Sequence, residues 1–274
     1  MENEKKHFTW YGSASSEAGP FIISAVEDFA QWKGSDDTLP VGFRVRYYGP
    51  LLKELSPKFH IGEPVRFENE DRFNAFIQML FNEINTVKPQ ISMQHKQGDY
   101  DFFLEDTNVF HLETGPDTDY TRICETAIDK DEIAIASFGT NAWALFWDVR
   151  PNTVRLALEQ TRRDVFFITG LSDENREKAL ELVLAGEKFY EVGELSLPTG
   201  CGVLAWSPMT QGDFGAPDGL SQVADLNPPI HLNSLNILKV GTVFKVQPGT
   251  YNVTCGWSKV EENNFAWVRM GLQV

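Results

Sequence analysis

Seven carboxylates crowd one stretch of the chain. Asp99, Asp101, Glu105, Asp106, Glu113, Asp117 and Asp119 all fall within GDYDFFLEDTNVFHLETGPDTDY, residues 98–120, which holds no Lys or Arg. Carboxylates at that density suit three kinds of chemistry. Two of them, fixed at a defined separation in a cleft, do the acid–base work of a hydrolase. Several hard oxygens converging on one point bind a cation. An unneutralised face draws in a basic partner. The spacing speaks against the first two, because carboxylates scattered over turns and alternating strand faces make no defined pair. Asp99 and Asp101 share a strand face, but nothing more specific joins them as a ligand. A docking surface for a cationic partner is the functional expectation, with a solvated sheet face as the plainer one. Tight binding needs aromatic anchors near such a surface, and Phe103, Phe110 and Tyr100 stand within it.

The remaining reactive residues are scattered. His7, His60, His95, His111 and His231 occur singly, with no i, i+4 ligand pair; His111 lies inside the acidic stretch. Cys124, Cys201 and Cys255 are odd in number and far apart, as suits small buried side chains of a cytosolic protein. The Gly-Cys-Gly of TGCGVLAWSP is no nucleophile elbow. Asp213, Asp218 and Asp225 in the Gly-rich loop lack calcium-loop spacing. There is no phosphate loop and no dinucleotide fingerprint. The expectation is a protein without cofactor, metal or catalytic activity.

Net charge is −15 in 274 residues, and its distribution is uneven: residues 63–119 hold twelve acids against four bases. Such a field repels nucleic acid and anionic membrane, so neither is expected as a partner. No apolar run approaches the ~20 residues of a membrane span. MENEKKHFTWYG has no apolar core of a secretory signal, so the expected location is cytoplasmic.

The elements that must position these residues are mostly strands. HFTWYG, GPFIISAV and VGFRVRYYG are β-branched and aromatic runs. DYDFFLED and NVFHLE alternate and are joined by the turn EDTN. EIAIASFG, AWALFWDV and DVFFITG are continuous apolar runs of the kind buried on both faces. NTVRLALEQ, YEVGEL and GVLAWSP complete the middle of the chain. GTVFKVQ, the turn PG, TYNVTCGW and FAWVRMGLQ predict a C-terminal hairpin and a third strand.

The clearest helix is NEDRFNAFIQMLFNEINTV. Phe73, Phe76, Ile77, Leu80, Phe81 and Ile84 form one apolar stripe, with Asn69 as N-cap. SDENREKALELVLAG predicts a second helix with Leu180, Val183 and Leu184 inward. DTDYTRICETAI predicts a short one capped by Asp117 or Asp119. EDFAQWKG is a single turn ended by Gly34. The order predicts an α+β protein, mostly antiparallel sheet with two or three helices and a C-terminal hairpin or meander. It reads as a single domain, 1–274.

Several segments, taken in order, resemble the bacterial immunity protein 21 family of polymorphic toxin systems. They are FTWYGSASSEAGPFIIS followed by WKG, then DYTRIC, NAWALFWDVRPNTV, GVLAWSPMTQG and VQPGTYNV. The resemblance spans residues 8–34 and most of 115–270; residues 35–114 depart from it, which implies that they are an insertion or elaboration of a single domain. It implies a cytosolic antidote that binds and blocks a cognate toxin, and it carries over no catalytic residue. The partner surface expected from the charge is Asp99, Asp101, Phe103, Glu105, Asp106, Glu113, Asp117 and Asp119, facing a basic region of the toxin. Two alternatives stand beside it: a hydrolase with its site in the Gly-rich loop 211–225, around Asp213, Asp218 and Cys201, and a non-catalytic small-molecule binding module.

Overall fold

Aromatic and β-branched runs separated by turn residues build sheets, and sheets dominate this chain. The structure is a computed structural model. It describes residues 8–16, 19–35, 42–48, 65–87, 93–95, 102–104, 111–125, 132–149, 153–169, 173–185, 189–214, 220, 230–233, 239–260 and 263–273. Two compact units emerge: Met1–Asp36 with Arg122–Val274, and Asp37–Thr121. The second unit interrupts the first. It runs past residue 114 to Thr121, so that Asp117 and Asp119 belong to it.

The first unit contains two six-stranded antiparallel sheets, with strands numbered along the chain. One sheet has the order β1 (Phe8–Ser15), β10 (Thr153–Glu159), β11 (Asp164–Thr169), β17 (Asn263–Leu272), β16 (Gly249–Val260), β12 (Tyr190–Leu197). The other has the order β14 (Ile230–Asn233), β15 (Lys239–Lys245), β13 (Cys201–Trp206), β2 (Phe21–Ala25), β9 (Ala142–Trp147), β8 (Ile133–Phe138). Their inner faces share one core. Leu156, Phe167, Tyr251 and Val268 come from the first sheet; Ile23, Leu145, Leu204 and Phe244 come from the second. This is the sandwich solution to two half-apolar sheets.

The outer faces are partly covered as well, which explains the continuous apolar runs. In β11, Val165 and Phe167 enter the inter-sheet core. Phe166 and Ile168 pack outward, in a second cluster with Ala179, Leu180 and Val183. Those three residues lie on helix α4 (Arg176–Ala185), which follows a 3-10 turn at Asp173–Asn175. Leu184 was expected inward but is exposed, because the covering stripe of this short helix is Ala179–Leu180–Val183. On the second sheet the single helical turn α1 (Val26–Phe29) and Trp32 cover the outer face. The Trp32 ring lies 5.1 Å from both Phe138 and Phe146, and its Nε1 donates to the Ser207 carbonyl at 2.6 Å.

The end of the chain departs from the expected topology. Pro248–Gly249 does not close a hairpin. Strand β15 belongs to one sheet and β16 to the other, so the chain crosses between them here. The crossing is tied to neighbouring turns rather than to a partner strand. Val246 N–H donates to Gly200 O at 2.8 Å, Gln247 N–H donates to Arg162 O at 3.0 Å, and the Tyr251 hydroxyl donates to the Gln247 carbonyl. The tail's hairpin is β16–β17, in register from Tyr251–Leu272 to Val260–Asn263.

Burial, reinforced by the Asp164 carboxylate, pushes the Tyr251 phenol up to about 12. A phenol that resists ionisation in the folded chain favours folding while it stays neutral. Its contribution is complete below the unfolded value near 10. It is lost as pH rises from there through the folded value, on the order of 2–3 kcal/mol. Urea denaturation across that interval should record the loss. Tyr251→Phe should flatten it, while costing about 1 kcal/mol near neutral pH for the missing hydrogen bond.

The second unit is built on the helix read from the sequence, α2 (Glu70–Val87). Asn69 Oδ1 accepts the Arg72 N–H at 3.0 Å, as an N-cap should. Phe73, Ile77 and Leu80 are buried, and Phe73 and Phe76 meet Phe43 and Phe67. Those partners lie on β3 (Gly42–Tyr48) and β4 (Val65–Phe67), which with β7 (His111–Asp117) form a three-stranded antiparallel sheet. Strand β6 (Phe102–Leu104) pairs instead with β5 (Met93–His95). Helix α3 (Asp119–Ile123) is capped by Thr118 rather than by Asp117 or Asp119. Thr118 Oγ1 accepts the Thr121 N–H at 3.1 Å, and Thr121 Oγ1 accepts the Thr118 N–H at 2.9 Å.

Candidate partner-binding groove

Strand β16 is twelve residues long, against six for β9 and β8 of the facing sheet. Its inner face follows the two-residue period: Tyr251, Val253, Cys255, Trp257. Tyr251 and Val253 are buried in the core, and Cys255 is packed against it. Trp257, paired across the hairpin with Ala266, is 57% exposed. The hairpin overhangs the core there and leaves the mouth of the sandwich open.

A groove of about 580 Å³ occupies that mouth. Ile133–Ile135 of edge strand β8 form one side, and Tyr190–Val192 of edge strand β12 form the other. Trp147 and Ala266 contribute from the core. A bulge in β12 between Glu191 and Gly193 shapes the second side. Gly193 has φ 145°, and a Cβ there would meet Ile135 Cδ1 at 3.3 Å, so glycine lets the two edges approach. Tyr190, just before the bulge, is 72% exposed.

Among the described residues the charged ones at the groove are Glu132 and Glu191, the latter paired in register with Thr254, on the face of the sheet opposite Cys255. Glu132 has φ 60°, an uncommon conformation for a residue with a Cβ, and its carbonyl accepts the Asp148 N–H at 2.7 Å. The backbone thereby holds Glu132 beside β8 at the groove. Cys255 also lines it, but burial pushes its thiol up, away from the thiolate that nucleophilic chemistry requires. The arrangement can therefore receive an apolar or aromatic group.

A second depression, about 540 Å³, lies on the first sheet. It holds two buried carboxylates, Glu159 and Asp164. Each is engaged within the fold: Glu159 accepts the Thr161 hydroxyl at 2.6 Å, and Asp164 accepts the Arg269 guanidinium.

The residues singled out from the sequence are distributed as follows. Asp99, Asp101, Glu105 and Asp106 lie outside the described residues. Phe103 is placed on β6 and Glu113 on β7, as backbone positions. Asp117, ending β7, is buried and accepts the Arg66 Nε–H, with N–O distances of 3.1 and 3.2 Å, so its carboxylate is engaged in the fold of the second unit. Asp119 opens α3. In the Gly-rich loop, Asp213 Oδ2 accepts the Thr210 N–H at 2.6 Å and the Thr210 hydroxyl at 2.8 Å, closing a turn. Cys201 begins β13, whereas Asp213 follows that strand's far end, so the structure does not bring the two together. Asp218 and Asp225 lie outside the described residues. Among the described residues no three His, Cys, Asp or Glu side chains group as a metal site, and no helix is long and apolar enough to cross a membrane.

In the first unit, fold and groove together define a two-sheet antiparallel sandwich with an aromatic mouth. No protein-family model matches the chain, and no match was found among curated proteins or solved structures.

Proposed function

We propose that this protein is an immunity-type inhibitor, which binds a cognate bacterial toxin and occludes it without catalysing a reaction. The observation that carries this reading is the exposed pair Tyr190 and Trp257 at a preformed groove. A single exposed apolar residue needs no explanation, but two large aromatics beside a concavity are the composition of an interface anchor. Burying them against a partner removes apolar surface from water, and neighbouring contacts exclude solvent.

Charge points to the kind of partner. The chain carries −15. A toxin with a basic surface would associate faster for that field, and salt would slow it. The ordered segments that resemble the immunity protein 21 family favour the same class. They also support the cytoplasm, where such an antidote meets the incoming toxin.

The test is co-expression with the product of the gene adjacent to this chain's own. The neighbour alone should arrest growth. With this chain present, growth should recover, and the two should co-purify as a complex whose association rate falls with salt. A harmless neighbour, or a toxic one that is neither bound nor blocked, would sink the reading.

A further inference from the structure

We propose that the outer edge of β8 receives an extended segment of a partner protein, which joins the sheet as a further strand. This deepens the reading above and rests on it only for the partner's identity. The sheets of the first unit end in four edge strands, β1, β12, β14 and β8. The unpaired N–H and C=O groups of an edge invite another strand, and proteins blunt that tendency with bulges, charges or brevity. Three of the four edges are blunted. The register slips in β1 between Trp10 and Gly12, and in β12 between Glu191 and Gly193, where Glu191 and Glu194 add charge. Strand β14 has four residues and slips between Leu232 and Asn233. Strand β8 has none of these devices. Its sequence, IAIASF, runs six residues in unbroken register with β9, without a charge or a proline.

The ladder fixes which groups face the edge. The Asp148 N–H donates to the Glu132 carbonyl at 2.7 Å, one step beyond the Ile133–Trp147 pair. Bonded pairs alternate along an antiparallel ladder. Ala134, Ala136 and Phe138 therefore turn their N–H and C=O toward β9, whereas Ile133, Ile135 and Ser137 turn theirs to the edge. Among the described residues no strand takes them up. The side chains of Ile133 and Ile135 pack inward on the inter-sheet core, at the groove that Tyr190 and Trp257 also line. Directly opposed residues share a face of the sheet. The residues of an added strand that bond to Ile133 and Ile135 thus point toward the groove. Backbone groups select an extended chain, and the groove selects apolar residues at every second position. A second copy of this chain would bring another −15 against the same charge, so the strand comes from a partner that is not acidic.

The probe is acetyl-Lys-Val-Lys-Ile-Lys-Val-Lys-amide, in which apolar residues alternate with lysines. Two N-methylated forms keep its charge and side chains. Methylating the Val and Ile nitrogens blocks the N–H groups that would face β8; methylating alternate lysine nitrogens leaves them free. Binding to the full chain is followed by calorimetry, and amide exchange by NMR. The lysine-methylated peptide should bind saturably, at least about ten-fold tighter than the Val/Ile-methylated one. The Ile133, Ile135 and Ser137 amides should exchange fast in the free chain and slowly in the complex, while those of Ala134 and Ala136 stay slow throughout. Ser137→Pro removes an edge donor without touching the β8–β9 bonds, and should weaken binding about five-fold. Ser137 is exposed, so the melting temperature should hold; should the variant fail to fold, amide exchange on the unaltered chain decides alone. Equal binding of the two methylated peptides, no saturable binding, or edge amides that stay fast in the complex would overturn the proposal. So would edge amides already slow in the free chain, which would mean that a segment of this chain covers β8, or slowing that grows with protein concentration, which would make a second copy the occupant.

The two readings fail separately. A toxin complex in which the edge amides stay fast and Ser137→Pro binds unchanged removes the strand site and leaves the inhibitor. Peptide binding that follows the methylation pattern, beside a harmless neighbouring gene product, leaves the strand site and removes the inhibitor.

Discussion

Phe244→Ala is expected to destabilise the first unit by about 3–5 kcal/mol, a large share of the ~5–15 kcal/mol that holds a typical domain folded. Phe244 is fully buried on β15 and meets Phe167 of the facing sheet edge-on, with ring centroids 5.7 Å apart. Its backbone partner on β13 is Gly202, and its ring lies against that residue, so close that a Cβ on Gly202 would lie 2.2 Å from Cζ and 2.5 Å from Cε2. The ring thus fills the space of an absent side chain, and truncation opens a cavity that β13 cannot fill. Gly202→Ala should also destabilise, by about 1–3 kcal/mol, because Phe167 stands in the way of the displaced ring. Combining the two changes tests the packing argument. The new methyl then occupies part of the cavity, so the double variant should lose less than the sum of the single losses in urea denaturation. Strict additivity would show that ring and glycine are not coupled.

The class of the fold was legible because burial leaves marks in local sequence. DVFFIT reads as continuous apolar residues because its odd and even members face different cores. Val165 and Phe167 meet the opposite sheet, while Phe166 and Ile168 meet α4. The stripe from Phe73 to Leu80 and the cap at Asn69 were legible for the same reason, since each is a contact within a few residues. Pairing was less legible. Pro-Gly between two alternating runs is a strong hairpin signal, yet β15 and β16 part there. What holds them apart is a set of bonds to Gly200, Arg162 and Tyr251, two of them distant in sequence. Strands β5 and β14 are three and four residues long, too short for a period of two to stand out.

The groove could not be read from the sequence at all, and the reason is geometric. Trp257 continues the inward face of Tyr251, Val253 and Cys255, so its place in the pattern is that of a core residue. Its exposure depends on how far the opposite sheet extends, which is a property of other strands. The stretches TYNVTCGW and FAWVRMGLQ are no longer than NTVRLALEQ; only the structure extends them to strands of twelve and ten residues. The acidic stretch at 98–119 was conspicuous because composition is visible without a fold. Asp117 shows how little composition says about role, since its carboxylate is buried against Arg66.

Arg269→Ala is expected to cost about 3 kcal/mol, well above an ordinary surface ion pair. The pair it breaks is asymmetric: the Asp164 side chain is 5% exposed, and that of Arg269 is 43% exposed. Nη2 of Arg269 lies 3.1 Å from both carboxylate oxygens, Nε lies 3.3 Å from Oδ1, and the guanidinium sits 5.8 Å over the Phe166 ring. Removing the arginine leaves a buried carboxylate without its guanidinium, whereas removing the charge of the aspartate leaves a cation that can turn to water. Asp164→Asn should therefore cost less, about 1 kcal/mol, and should recover part of the loss when added to Arg269→Ala. Equal losses for the two single variants would mean that burial of the carboxylate is not what sets the energy. The same aspartate reinforces the raised phenol of Tyr251. In Asp164→Asn that phenol should ionise at lower pH in the folded chain, so the alkaline loss of stability should become smaller and finish earlier. One substitution thus tests two consequences of a single buried charge, and an unchanged alkaline limb would separate them.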